Sequence, residues 1–387
     1  MKVLRLAWAA LWFYRRRNGL LLLALVLCGA LPLSLHVLVQ RAEQMVHARA
    51  VATPLVVAAR GSALEQVLAG AYFSDHDVGS VPAGLIDELN ARTDVVAVPL
   101  LLGFHAQQAP IVGTNPDYLR QRGLGRASGR WFMRPGECVV GADLAQARGL
   151  APGSVVVSSP ESAFNLAGSY PIEMDVVGVL APHGSPDDGA VLCDVRTTWA
   201  IAGYGHGHQD AASADASLLL QRDGKEVVVN AAMPIARRID AGSGMHLHGD
   251  PAALPISLAL VFPATDKAGT LLRGAYLADD APYQVIEPAA EITELFATVA
   301  VVEWWVQLGL AAAFAATLLV AVLVMTLSLR QRDKEFRTMR LLGASRSRIA
   351  GIIAGELGML LMLAAGGMVV VTVAVHMWAG SLIVGVL

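Results

Sequence analysis

The sequence predicts a membrane α-helical protein with a large α+β extracytoplasmic domain inserted between its first and second transmembrane helices. Three observations carry that expectation. Three apolar stretches each reach the length of about 20 helical residues that a bilayer requires. The composition is 55% hydrophobic and only 16% charged, where a soluble protein carries about 25% charged residues. Between the first two apolar stretches, residues 41–298 show the short strand and helix patterns of an ordinary folded domain.

Residues 1–18 are expected on the cytoplasmic side, and residues 19–40 form the first span, whose apolar run from Gly19 to Val39 holds no charged residue. That run exceeds the about 7–15 apolar residues of a signal peptide, and no small-residue cleavage site follows it promptly, so it reads as a retained anchor. Residues 299–329 form the second span, with Glu303 near its start, and residues 349–377 the third, with Glu356 inside it.

Lys and Arg concentrate on the cytoplasmic side of membrane helices. Lys2, Arg5 and Arg15 to Arg17 precede the first span, and seven arginines and lysines from Arg330 to Arg348 fill the link between the second and third. Both segments are therefore expected inside, which places residues 41–298 in the periplasm of a diderm bacterium. Trp304 and Trp305 suit the outer aromatic belt. Residues 378–387 are left as an outer tail. Either the chain stops before a fourth helix, or this tail packs against another subunit.

Residues 41–52 have no helix breaker and are expected to prolong the first helix beyond the membrane. In the domain that follows, residues 85–93 read as an amphipathic helix. Strands are expected at 95–104, 137–142, 154–159, 172–181 and 189–195. DLAQARGL (143–150) reads as a helix closed by Gly149, with APGS (151–154) as its turn. Residues 226–241 begin as a strand or a helix. Residues 285–300 read as a helix running into the second span.

The chemistry is bounded by what is missing. A net charge of −3 and the lack of a basic stripe with interleaved aromatics exclude a nucleic-acid binder. No P-loop, G-x-S-x-G or H-E-x-x-H motif occurs, so ATPase and common hydrolase chemistry are not expected in this chain, and any energy input comes from a partner. Cys28 lies in the first span. A disulfide between Cys138 and Cys193 is allowed in an oxidising compartment, though two unrelated buried thiols are the preferred reading.

Two histidine pairs stand out. GYGHGHQD carries His206 and His208, and GMHLHGD carries His246 and His248, each pair followed by an aspartate (Asp210, Asp250). In a strand, side chains at i and i+2 share a face, so each pair is a candidate chelate for a borderline metal such as zinc, with His183 and His76 as further candidates. Solvated loop histidines are the plainer reading. Glu303 is expected at the interface. Glu356 is expected to snorkel or to pair with a neighbouring arginine. The small residues of GMLLMLAAGGM (358–368) suit close helix packing.

The link at 330–348 is the most informative segment. Strong helix formers run from Arg332 to Leu342, Gly343 interrupts them, and Ser345 is placed to cap the next helix. Phe336, Met339 and Leu342 recur at i, i+3, i+6, an apolar stripe for a partner to hold.

R-x-x-E-F-x-x-x-R-x-L-G-A-S at 332–345 resembles the coupling helix of the MacB/FtsX/LolC superfamily of ABC transporter permeases, the type VII or mechanotransmission class. Residues 110–159, with PIVGTNPDYLRQRGLGR and ECVVGADLAQARGLAPGS, and residues 175–201 are similar to that family's periplasmic domain. The resemblance implies a permease subunit without enzymatic activity, paired with a second permease subunit as a homo- or heterodimer. Two copies of an ABC ATPase would bind ATP and Mg, since no cofactor is expected in this chain other than the candidate zinc. It further implies that Glu335, Phe336, Met339, Arg340, Leu342 and Gly343 contact the ATPase, in a multi-pass protein of the bacterial inner membrane. Membrane lipid is an expected partner, and a periplasmic adaptor or lipoprotein a candidate one. Export, extraction or efflux of an unidentified substrate follows. The alternatives are an FtsX-like regulator of a periplasmic hydrolase, without transport, and a zinc-linked membrane protein built around its H-x-H pairs.

Overall fold

The computed structural model describes residues 2–159, 171–207, 219–223, 226–229, 239, 245–277 and 281–384. The chain divides into two compact units, residues 1–46 with 294–387, and residues 47–293.

The first unit is helical. It contains α1 (Lys2–Phe13), most of α2 (Arg15–Val51), and three further helices introduced below. The second unit is built on strands. Along the chain come β1 (Leu55–Ala59), α3 (Ala63–Tyr72), β2 (Val81–Pro82), α4 (Gly84–Asn90), β3 (Val95–Ala106) and β4 (Ala109–Thr114). Then follow α5 (Pro116–Gln121), β5 (Arg126–Gly129), β6 (Glu137–Val140), α6 (Ala142–Arg148), β7 (Val155–Val157) and β8 (Glu173–Leu180). Next are β9 (Val191–Asp194), α7 (Val195–Ile201), β10 (Gly205–Gly207), β11 (Leu219–Asp223), β12 (Glu226–Val229) and β13 (Met245–Leu247). The domain closes with β14 (Pro255–Ile256), β15 (Leu258–Pro263), α8 (Asp266–Ala275) and β16 (Tyr283–Ile286). After it come α9 (Pro288–Gln331), α10 (Asp333–Leu341) and α11 (Arg346–Val384).

Among the described residues, ten strands form one mixed sheet, ordered β16-β1-β15-β3-β4-β9-β6-β8-β5, with β7 alongside β8. Sequence pattern explains the register. β8 reads EMDVVGVL with every second residue buried, so Met174, Val176 and Leu180 share the core face. β1 is an unbroken apolar run, LVVAA, buried along almost its whole length and flanked by a strand on each side. One hydrophobic core collects Val57, Leu89, Phe104, Ile111, Met174 and Trp199 from across the sheet and its helices.

Among the described residues, three helices are long and apolar enough to cross a membrane: α2, α9 and α11. α2 continues to Val51, as the absence of breakers in 41–52 predicts. Pro32 lies inside α2, and Gln307 of α9 donates a hydrogen bond to its carbonyl at 2.9 Å. Neighbouring polar side chains of this kind are what let proline be tolerated in a membrane helix. His36 of α2 meets Glu303 of α9 at 2.8 Å. Gly367 of α11 lies so close to Val26 that an added Cβ would sit 2.7 Å from its methyl. The small-residue stretch of α11 thus serves helix packing.

One expectation is corrected here. Residues 285–300 are not all helix: Val285 and Ile286 pair with Val57 and Val56 in β16, and the helix starts at Pro288, a residue favoured in a first turn. Within residues 1–18, α1 occupies Lys2–Phe13 and packs against α11.

Candidate functional site

The segment singled out between the second and third spans folds as α10 flanked by two breaks. α10 starts after Arg332 and ends at Leu341, and Gly343 adopts φ +89°, a left-handed conformation costly for other residues. α11 then begins at Arg346, with the Ser345 hydroxyl accepting from the Arg348 amide.

What holds α10 in place is a buried charge cluster. Glu356 of α11 has no exposed surface. Its carboxylate accepts from Arg332 Nη1 at 2.8 Å and from Arg17 Nη2 at 3.0 Å. Arg332 also donates to Glu335 at 3.3 Å, and Tyr14 donates to Glu335 at 3.1 Å. The Arg332 guanidinium lies 5.0 Å from the Tyr14 ring centroid and 5.3 Å from that of Phe336. Asn18 fixes the turn between α1 and α2 by donating to the Leu11 carbonyl and accepting from Arg17. A carboxylate in an apolar helix is costly unless paired. Here it draws the start of α2, the start of α10 and the first third of α11 onto one point.

This divides the apolar stripe expected on α10. Phe336 is 6% exposed and packs inward beneath Arg332, so it does not share an outward face with Leu342. Leu341 and Leu342 are 88% and 83% exposed. Met339 is half-buried, while Glu335 and Arg340 have about half of their side chains accessible. Asp333 pairs with Arg337 at 3.1 Å across one helical turn. The surface left for a partner is therefore a bare leucine pair at the C-terminal end of α10, edged by charge.

A second buried cluster lies in the central domain, and the sequence reading missed it. Arg49, in the last turn of α2, meets Asp187 at 2.8 Å and donates to the Tyr118 hydroxyl at 3.2 Å and the Ala71 carbonyl at 3.0 Å. Tyr118 donates to Asp187 at 2.5 Å, and Ser185 to Asp187 at 2.8 Å. Arg122 donates to Thr53 Oγ1 at 2.7 Å and the Ala52 carbonyl at 2.9 Å, with its face against the Tyr118 and Phe262 rings. Burial works against the charge on Asp187, yet Arg49 and the donated hydrogen bonds hold its carboxyl below the usual range. Burial pushes the Tyr118 phenol up to about 12, aided by Asp187. Burial lowers Arg122, and its neighbour Arg49 adds to the effect. The cluster fastens the end of α2 to α5 and to the 3-10 turn Pro186–Gly189. No local motif signals it, because its charged partners lie far apart in sequence.

Cys138 and Cys193 are free and buried, and the reading of them as unrelated is corrected: they are direct partners in the antiparallel pairing of β6 with β9. Burial raises both thiols, Cys193 well above the ordinary value.

The histidines come partly together. β10 and β13 form an antiparallel ribbon in which His206 and His246 are direct partners. His248 follows β13 and is exposed, whereas His208 lies outside the described residues. His183 and His76 are exposed, His76 bonding Ser74. The described side chains, which do not include those of His206 and His246, contain no group of three or more His, Cys, Asp or Glu arranged to hold a metal.

Apolar helices long enough to span a membrane flank an inserted mixed α/β domain, the architecture of a membrane protein with one large domain between its first and second long helices. Residues 19–233, more than half of the chain, match the model of the MacB-like periplasmic core domain, and the chain belongs to that family, within the MacB/FtsX group of ABC permeases. The family is the permease component, and permeases of this group work with ABC ATPase partners.

Among solved structures, the chain is similar to the extracellular domain of the noncanonical ABC-type transporter YknZ from Gram-positive bacteria. The identity is 11% over 60% of this chain and 98% of that one, at a TM-score of 0.32. It is also similar to the periplasmic region of MacB from Actinobacillus actinomycetemcomitans, at 9% identity over 63% of this chain and 92% of that one, with a TM-score of 0.35. No curated protein matches the chain.

Proposed function

We propose that this chain is the permease subunit through which a separate ABC ATPase moves an extracytoplasmic domain, driving export, extraction or efflux of a substrate. The observation that carries the proposal is the attachment of α10: its first residue boundary, Arg332, is tied through Glu356 to α11 and through Arg17 to α2. A push on α10 then reaches two membrane helices through buried ionic contacts, and packed interiors transmit strain with little loss.

Glu335, Met339, Arg340, Leu342 and Gly343 form the ATPase contact in this reading, with Leu341 added to them and Phe336 seating the helix from behind. Two ATPases and a second permease subunit complete the assembly. Lys2, Arg5 and Arg15 to Arg17, together with the basic residues around α10, support a cytoplasmic location for both segments and an outer one for residues 41–298. α2 has 37 residues and α9 has 44. At about 1.5 Å per residue both exceed the about 30 Å of a hydrocarbon core, so each continues as an unbroken rod beyond the bilayer.

The test is capture of partners from the native host by the detergent-solubilised chain, with a Glu335→Arg, Met339→Asp variant alongside. A P-loop ATPase that accompanies the parent and is lost from the variant supports the reading. Its absence from the parent overturns it.

A further inference from the structure

We propose that the ribbon of β10 and β13 binds a borderline divalent transition-metal ion, with zinc as its probe and the residues at 206, 246 and 248 as ligands. Three placements point to it. His206 and His246 are direct partners in the antiparallel register, and residues so paired lie on one face of a ribbon. The pairing continues outward, since the His248 amide donates to the Tyr204 carbonyl at 2.8 Å. Strand periodicity therefore puts position 248 on the face of 246 and 206.

The third placement concerns the other face. Met245 and Leu247 pack against the hydrophobic core of the domain. Alternation along β13 then sets the histidine positions on the side away from that core, where His248 is exposed. Two segments distant in sequence thus bring these three positions together in register.

Neutral imidazole is the preferred ligand of zinc, copper and nickel, whereas calcium and magnesium select oxygen. Three protein nitrogens with an open fourth position are a recurrent zinc arrangement. The open position gives exchange with a small ligand or with a metal-carrying partner a route to the ion. The proposal stands on the ribbon alone and does not depend on an ATPase partner.

The experiment uses the full-length chain in detergent, stripped with a chelator, dialysed against zinc and assayed for bound metal, with cobalt absorption as a second readout of nitrogen ligation. One zinc per chain is expected. His206→Gln with His246→Gln, and His248→Gln alone, should each weaken binding by about tenfold or more, with melting of the metal-free chain unchanged. His76→Gln serves as the control and should bind as the parent does. Equal zinc binding by the parent and both ribbon variants overturns the proposal, as does a parent that retains none.

Discussion

Glu356 and Arg332 lie 2.8 Å apart in a setting where the carboxylate has no exposed surface and the guanidinium almost none. With Arg17 on the other carboxylate oxygen, the pair is a three-residue ionic knot between the beginnings of α2, α10 and α11. Removing one member of a buried ionic set leaves the others desolvated and short of a partner, which costs up to about 3–5 kcal/mol. Glu356→Ala is therefore expected to lower the melting temperature of the solubilised chain sharply. A melt indistinguishable from the parent's would show that the knot contributes nothing.

The exposed leucines make the opposite prediction. Leu341 and Leu342 touch little of their own chain, so Leu341→Ser with Leu342→Ser should change stability by no more than about 0.5 kcal/mol. ATPase capture should nevertheless fall away. Loss of capture together with stability would point to misfolding instead of a lost contact, and unchanged capture would remove the leucines from the interface.

Gly343 at φ +89° has open space around it, so a methyl group meets backbone strain there but no clash. Gly343→Ala should destabilise the turn by about 1 kcal/mol. Hydrogen exchange of the amides at 342–346 measures it, and exchange as slow as in the parent would argue that the turn is not under this constraint.

The Arg49–Asp187–Tyr118 cluster sets two pH limits on the central domain. The folded carboxyl of Asp187 titrates below its unfolded value, so its contribution is complete above about pH 4 and is lost as pH falls further. Tyr118 titrates at about 12 when folded. Its contribution is intact below about pH 10, the unfolded value, and is lost as pH rises towards 12. Asp187→Asn should flatten the acid limb of a stability profile and Tyr118→Phe the alkaline limb. If neither limb changes, other groups control the pH response.

Cys138 and Cys193 should resist maleimide in the folded chain, because burial both blocks access and suppresses the thiolate. Both should react once denaturant is added. Modification of either thiol in native buffer would mean that the β6–β9 pairing opens readily.

Much of this was readable from residue order. Apolar length gave the three long helices, alternation gave β8, and Gly149 marked the end of α6. The α10 segment was legible because helix formers, a glycine break and a serine cap follow one another within a short stretch. Burial on α10 was not, since the side of Phe336 depends on Arg332 stacking against it and against Tyr14, which lies 322 positions before Phe336. Val285 and Ile286 misled for a related reason. A short apolar run ahead of a long helix has no period of its own, and pairing with β1 decided its state. The Arg49 cluster left no local trace at all, because Asp187 enters through a turn far along the chain.

The knot at Glu356 also bears on how the chain is made. Translation runs from the N-terminus, so Arg17 and Arg332 have both left the ribosome before Glu356 does. The acidic residue of α11 is thus synthesised after both of its counter-charges. The order of the partners along the chain shortens the interval during which an unpaired carboxylate faces lipid, so assembly and synthesis proceed in the same direction.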